Sequence, residues 1–159
     1  MKVSFREANE KDIPLIQQFI IELAEYEKMA DQVVATEETL RKNLFGEKCY
    51  AEVIFALADG KEKGFVLFFH NYSTFLGKPG IYIEDLYVRP EYRGKGIGKK
   101  LLGKIAQLAE ERDCGRVEWW VLNWNPARKF YESIGAKSMD EWTVYRLAGD
   151  NLKELKTGL

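Results

Sequence analysis

The sequence is short of the residues that build metal centres and disulfide frameworks. It has two cysteines, Cys49 and Cys114, and a single histidine, His70. The cysteines form no CxxC pair and have no histidine cluster beside them, so no metal site is expected and both read as reduced, structural thiols. An excess of charge of either sign is also missing: 24 basic against 25 acidic residues leave a net charge of −1. No global basic surface speaks for nucleic acid or anionic lipid. No apolar run approaches the length of a membrane span, and MKVSFREANEKD lacks the apolar centre of a signal peptide. A cytoplasmic protein without nucleic-acid or membrane partners is the expectation.

The 159 residues, 46% hydrophobic and 13% aromatic, suffice for one sizeable core, and a single α/β domain over residues 1–159 follows. KVSFREA alternates as a strand. NEKDIPLIQQFIIELAEYEKM reads as a long helix, with Asn9 as cap and Ile13, Ile16, Ile20 and Leu23 on one face. Thr36 caps a second helix bearing Leu40 and Leu44. YAEVIFALA, GFVLFFH and IYIEDLYV read as strands, the first two joined by a hairpin at DGKEKG. RVEWWVL is expected as a strand, NPARKFYESIG as a short helix and EWTVYRL as a last strand. Hairpins followed by helical crossovers imply a mixed sheet with helices on its faces.

The densest local signal is RGKGIGKK, residues 93–100, which follows the strand IYIEDLYV. Ile97, Leu101, Leu102, Ile105 and Leu108 repeat at helical spacing, so the glycines lie at a helix N-terminus. Unshielded amide groups, the positive end of the helix dipole and Arg93, Lys95, Lys99 and Lys100 all favour an anion, and a diphosphate suits their extent. Two familiar phosphate loops do not fit. A Walker A loop needs glycine where Arg93 stands and a hydroxyl where Lys100 stands, and the dinucleotide fingerprint needs a third glycine where Lys99 stands.

What remains is Arg-x-x-Gly-x-Gly, formed by Arg93, Gly96 and Gly98, which resembles the coenzyme A pyrophosphate loop of the GNAT N-acetyltransferases. IIELAEYEKMADQVVATEETL, YSTFLGKPGIYIEDLYVRPEYRGKGIGKKLL, NWNPARKFYESIGA and DEWTVYRL together resemble the spermidine/spermine (diamine) and thialysine acetyltransferase branch. The resemblance implies a GNAT fold, with a mixed, mostly antiparallel central sheet flanked by helices. It implies acetyl-CoA as cosubstrate, no metal and a homodimer. It places Leu86, Tyr87 and Val88 along the pantetheine arm, with Arg93, Gly94, Lys95, Gly96, Ile97, Gly98 and Lys99 around the pyrophosphate and Asn125 beside the thioester. Tyr131 becomes the general acid and Glu84 the acceptor of the amine proton, directly or through water. Tyr26, Glu27, Asp85 and Trp142 line the acceptor pocket.

Two departures from the family pattern bear on the acceptor. The spacing from Asn125 to Ala127 is one residue shorter than usual. Ser73 and Phe75 stand where the polyamine enzymes carry an acidic residue and a tryptophan, which favours a smaller amine such as thialysine, a lysine-like amino acid or a short diamine. As strand neighbours, Glu84 and Asp85 are expected on opposite faces. A protein N-terminal or lysine acetyltransferase, and a non-catalytic module that binds coenzyme A, remain the alternatives.

Overall fold

The computed structural model describes residues 1–159, which divide into two compact units, Met1–Trp120 and Val121–Leu159. In the first, β1 (Val3–Glu7) leads to α1 (Ile13–Tyr26) and α2 (Glu37–Phe45), followed by β2 (Glu52–Ala58), β3 (Lys61–Ser73), β4 (Lys78–Val88), α3 (Ile97–Glu111) and β5 (Val117–Trp119). The strands form one sheet in the order β1-β2-β3-β4-β5, antiparallel except for the parallel pair β4–β5. The expected mixed, mostly antiparallel sheet is therefore present.

The strand sequences alternate between two apolar layers, one on each face of the sheet. Ile54, Ala56, Ala58, Val66 and Phe68 point to one side and pack against Ile97, Leu101 and Ile105 of α3. Their neighbours Val53, Phe55, Phe65 and Leu67 point to the other and meet Ile16 and Phe19 of α1 and Leu44 of α2. Phe19 stacks on Phe65 with ring centroids 5.2 Å apart, at the centre of the second layer. Both faces are apolar because both are covered, so β2 and β3 read as continuous hydrophobic runs.

The caps follow local chemistry. Thr36 Oγ1 accepts from the Thr39 amide at 3.1 Å and starts α2. Asn9 caps a 3-10 turn, Glu10–Asp12, immediately before α1 rather than α1 itself. The β2–β3 hairpin turns on Asp59 and Gly60, with φ of 51° and 83°, the pair of positive values that tight hairpins require.

Two irregularities interrupt the ladder. In β3, Lys63 is an extra residue relative to β2, whose Ala56 faces Gly64 and Leu57 faces Glu62. In β4, Glu84 is an extra residue relative to β3, because Phe68 faces Ile83 while Leu67 faces Asp85. Such a bulge resets the alternation of everything after it. Ile81 and Ile83 lie in the α3 layer; beyond Glu84, Leu86 and Val88 do so, while Tyr87 joins the α1 layer. Asp85, two before Tyr87, thus faces α1, and so does Glu84, two after Tyr82. The expectation that the two carboxylates point to opposite faces fails at this bulge.

In the second unit, α4 (Ala127–Ser133) forms where a short helix was expected, and α5 (Gly149–Thr157) is an additional helix. The expected last strand is not formed: residues 141–147 have no regular structure, and Trp142 is 76% and Tyr145 92% exposed. β-branched and aromatic residues favour a strand only where a partner pairs with the backbone, and these residues have none. Similarly, of RVEWWVL only Val117–Trp119 is strand.

Candidate active site

The glycine loop leaves β4 through a 3-10 turn, Pro90–Tyr92, and enters α3 at Gly96, whose φ of 83° and ψ of 3° are left-handed. Gly94 is also left-handed, at 73°, so both positions need glycine for the backbone to pass. Gly98 is different. It sits in the first turn of α3 without a positive φ, and a Cβ there would meet only Val88 Cγ2 at 4.0 Å. Nothing inside the protein demands that glycine; it keeps open the outer surface of a turn whose first amides lack partners within the helix. Lys95, Lys99 and Lys100 are exposed beside it.

The strand before the loop offers a second row of backbone groups. Pairing between β4 and β5 ends at Ile83 and Trp119, so residues 84–88 have no partner in β5. The Arg89 amide donates to Lys63 O at 2.9 Å, and in this register Tyr87 and Asp85 also exchange their hydrogen bonds with β3. Leu86 and Val88 therefore direct their N–H and C=O groups away from β3. Before the bulge it is Ile81 that faces β5, donating to Arg116 O at 3.0 Å. Without Glu84 as the extra residue, Asp85 and Tyr87 would hold the outward positions.

Glu84, Asp85 and Glu27 form an acidic group. Glu27 caps the C-terminal end of α1, and its carboxyl is raised first by burial and then by Glu84. Asp85 is mostly buried and is pushed up to about 7, chiefly by burial, then by Glu84 and Glu27. Glu84 itself is exposed. A carboxylate held near neutrality among other carboxylates can accept a proton and also welcomes a cation. Tyr26, half-buried at the end of α1, lies next to this group in sequence.

Arg93 was expected around the pyrophosphate, and its side chain has further partners. Nε donates to Val88 O at 2.8 Å, and the guanidinium lies over the ring of Tyr26 at 4.5 Å and that of Tyr87 at 5.3 Å. In the second unit, Asn125 Oδ1 accepts from the amide of Ala127, the first residue of α4, at 2.9 Å. Tyr131 lies on α4 with its ring 5.6 Å from that of Phe130. Trp142 stands in the irregular stretch.

The acetyltransferase (GNAT) family model matches residues 17–136. The chain belongs to this family. It is 41% identical over 165 residues to the bovine (Bos taurus) thialysine N-epsilon-acetyltransferase, covering 96% of each chain. It is 34% identical over 196 residues to the Arabidopsis thaliana L-ornithine N5-acetyltransferase NATA1, covering 94% of this chain and 86% of that one. Among solved structures, the integron cassette protein VCH_CASS6 from the mobile metagenome of V. cholerae superimposes with a TM-score of 0.81 at 32% identity, over 98% of each chain.

Sequence reasoning about this acetyltransferase missed the bulge, although a signal for it exists. Ile81 and Ile83 are out of phase with Leu86 and Val88, so a two-residue repeat cannot place all four on one face unless a residue is inserted between them. It also missed Lys63, whose ammonium lies 4.7 Å from the Tyr92 ring centroid, with Lys95 at 5.1 Å from the same ring. Lys63 is distant in sequence from the glycine loop, and no local pattern joins them.

The raised Asp85 carboxyl predicts a pH-dependent stability. Between the ordinary carboxylate range and about 7 the folded protein holds a proton that the unfolded chain has released, so stability falls as pH rises through this window and stays reduced above it. Asp85→Asn removes that cost. The variant should be more stable than the wild type at pH 8, by up to about 4 kcal/mol at about 1.4 kcal/mol per unit, and should melt at a higher temperature, with the gap closing near pH 4. Melting curves whose difference is independent of pH would show that Asp85 titrates normally.

Proposed function

We propose that this acetyltransferase transfers an acetyl group from acetyl-CoA to the primary amine of a small cationic acceptor, with both substrates bound together. Thialysine or another lysine-like amino acid, a diamine or a polyamine is the acceptor class, and the names of the bovine and Arabidopsis relatives support its amino-acid end. The observation that carries the reading is the acidic group Glu27, Glu84 and Asp85, gathered on the face of β4 whose other backbone edge is unpaired.

The residues fit acetyl-CoA. Left-handed Gly94 and Gly96, open Gly98 and the lysines at 95 and 99 would hold the diphosphate, and the outward groups of Leu86 and Val88 would hold the amide-bearing arm. Bound there, acetyl-CoA supplies an activated thioester as acyl donor. The protein's task is the proton on the amine. A lysine-like amine has a pKa of about 10.4, so at pH 7 release of its proton costs about 4.6 kcal/mol. The Glu84–Asp85 pair would attract the cation and take this proton, with Asp85 the better matched to neutral pH. Tyr131 keeps the proton-donor role implied by its place in NPARKFYESIGA; its hydroxyl would protonate the departing sulfur.

The test is thiol release from acetyl-CoA across thialysine, ornithine, diamines, spermidine and a lysine peptide. Release with the free amines and not with the peptide is expected; release with the peptide alone would move the reading to a protein acetyltransferase. Tyr131→Phe keeps the ring and should lower turnover by about a hundredfold or more while acetyl-CoA still binds. Full turnover in that variant, with chemistry rate-limiting, would remove Tyr131 from the mechanism. Gly98→Ala should act oppositely on stability and binding. It adds helix propensity where a Cβ has room, stabilising the protein by about 0.4–1 kcal/mol, yet it blocks the loop's outer face and weakens acetyl-CoA. Calorimetry giving wild-type affinity for Gly98→Ala would mean that the diphosphate lies elsewhere.

A further inference from the structure

Arg93 joins three parts of the first unit that carry different functions. Its Nε holds Val88 O, the last outward carbonyl of β4, at 2.8 Å. Its guanidinium carbon lies over the ring of Tyr26, whose successor Glu27 belongs to the acidic group, at 4.5 Å from the centroid, and over that of Tyr87 at 5.3 Å. Its backbone opens the glycine loop, with the amide donating to Pro90 O at 3.1 Å. A guanidinium can do this because its face and its edge are separate recognition surfaces. Nε makes the side chain's hydrogen bond to the protein, and the two Nη groups make no hydrogen bond or ion pair of their own, while Gly94 and Lys95 follow directly in sequence.

We propose that Arg93 is a positioning residue that couples the coenzyme loop to the acceptor wall, so that a diphosphate at the loop fixes Tyr26 and tightens the binding of the amine. The inference rests on the acetyl-CoA reading above. An anion at the Nη edge and an aromatic ring on the face are compatible and mutually reinforcing, since each restricts the same side chain and the ordering cost is met only once. Lysine cannot replace it: an ammonium can sit on the ring or donate to Val88 O but has no second planar surface. A purely structural role for Arg93 predicts something else, namely lower stability with no change in how one ligand affects the other.

The test is titration calorimetry of thialysine with the whole chain, without and with saturating coenzyme A, which binds but cannot react. In the wild type, coenzyme A should tighten thialysine by about threefold to tenfold, the range expected for an exposed to partly buried cation–aromatic contact. In Arg93→Lys the ratio should fall to about one. Tyr26→Leu, which removes the ring from the other side of the contact, should do the same, and Tyr26→Phe, which keeps the ring, should retain the coupling. The Tyr26 pair decides the matter if Arg93→Lys does not fold. A wild-type ratio of one, or an undiminished ratio in folded Arg93→Lys or in Tyr26→Leu, overturns the coupling while leaving the acetyltransferase reading intact. Failure of the wild type to bind coenzyme A overturns both.

Discussion

Glu84 has no partner in β3, and that single extra residue in β4 decides which chemistry each side of the strand presents. A regular strand would give its outward backbone groups to Asp85 and Tyr87 and divide the two carboxylates between the faces. The bulge turns the amides of Leu86 and Val88 outward, where β5 has already parted from β4, and sends both carboxylates toward α1. An unpaired backbone edge and an acidic group on one face are thus two results of the same change of phase. The glycine loop follows at the end of this strand, so its position along β4 is fixed by the same register.

The arrangement works against stability. Burying Asp85 among Glu84 and Glu27 raises its carboxyl to about 7, and a protein selected only to stay folded gains nothing from that. The two apolar layers hold the strand in place. Phe65, Phe55 and Phe19 on the α1 side and Phe68, Ile81 and Leu101 on the α3 side are fully buried, so β4 cannot slip without exposing one layer or the other. Arg89 adds a tie between strand and helix, with Nε on Glu22 Oε2 at 3.2 Å and its guanidinium over Phe19 at 4.7 Å. A charged, bulged segment persists between well-packed neighbours.

How far the sequence reveals this depends on the range of each signal. The loop was legible because three glycines and four cations lie within eight residues and the following apolar stripe is strongly periodic. The strands β2, β3 and β4 and the caps at Thr36 and Asn9 were legible for the same reason, although Asn9 serves the 3-10 turn before α1. The bulge is hidden because each half of IYIEDLYV alternates as a regular strand does; only the phase difference between Ile81–Ile83 and Leu86–Val88 marks it. EWTVYRL has the composition of a strand, yet strand formation requires a pairing partner that a local pattern cannot supply. The clasp from Arg93 to Tyr26 links residues 67 positions apart, which no motif in either segment announces.

The claim that the bulge aims the backbone of β4 can be tested on individual amides by hydrogen exchange followed by NMR. In the free protein, the amides of Asp85 and Tyr87, bonded to β3, should exchange slowly and those of Leu86 and Val88 quickly. Added acetyl-CoA should protect Leu86 and Val88 and leave Asp85 and Tyr87 nearly unchanged. Equal protection of all four amides in the free protein, or protection on binding that falls elsewhere than Leu86 and Val88, would contradict the account.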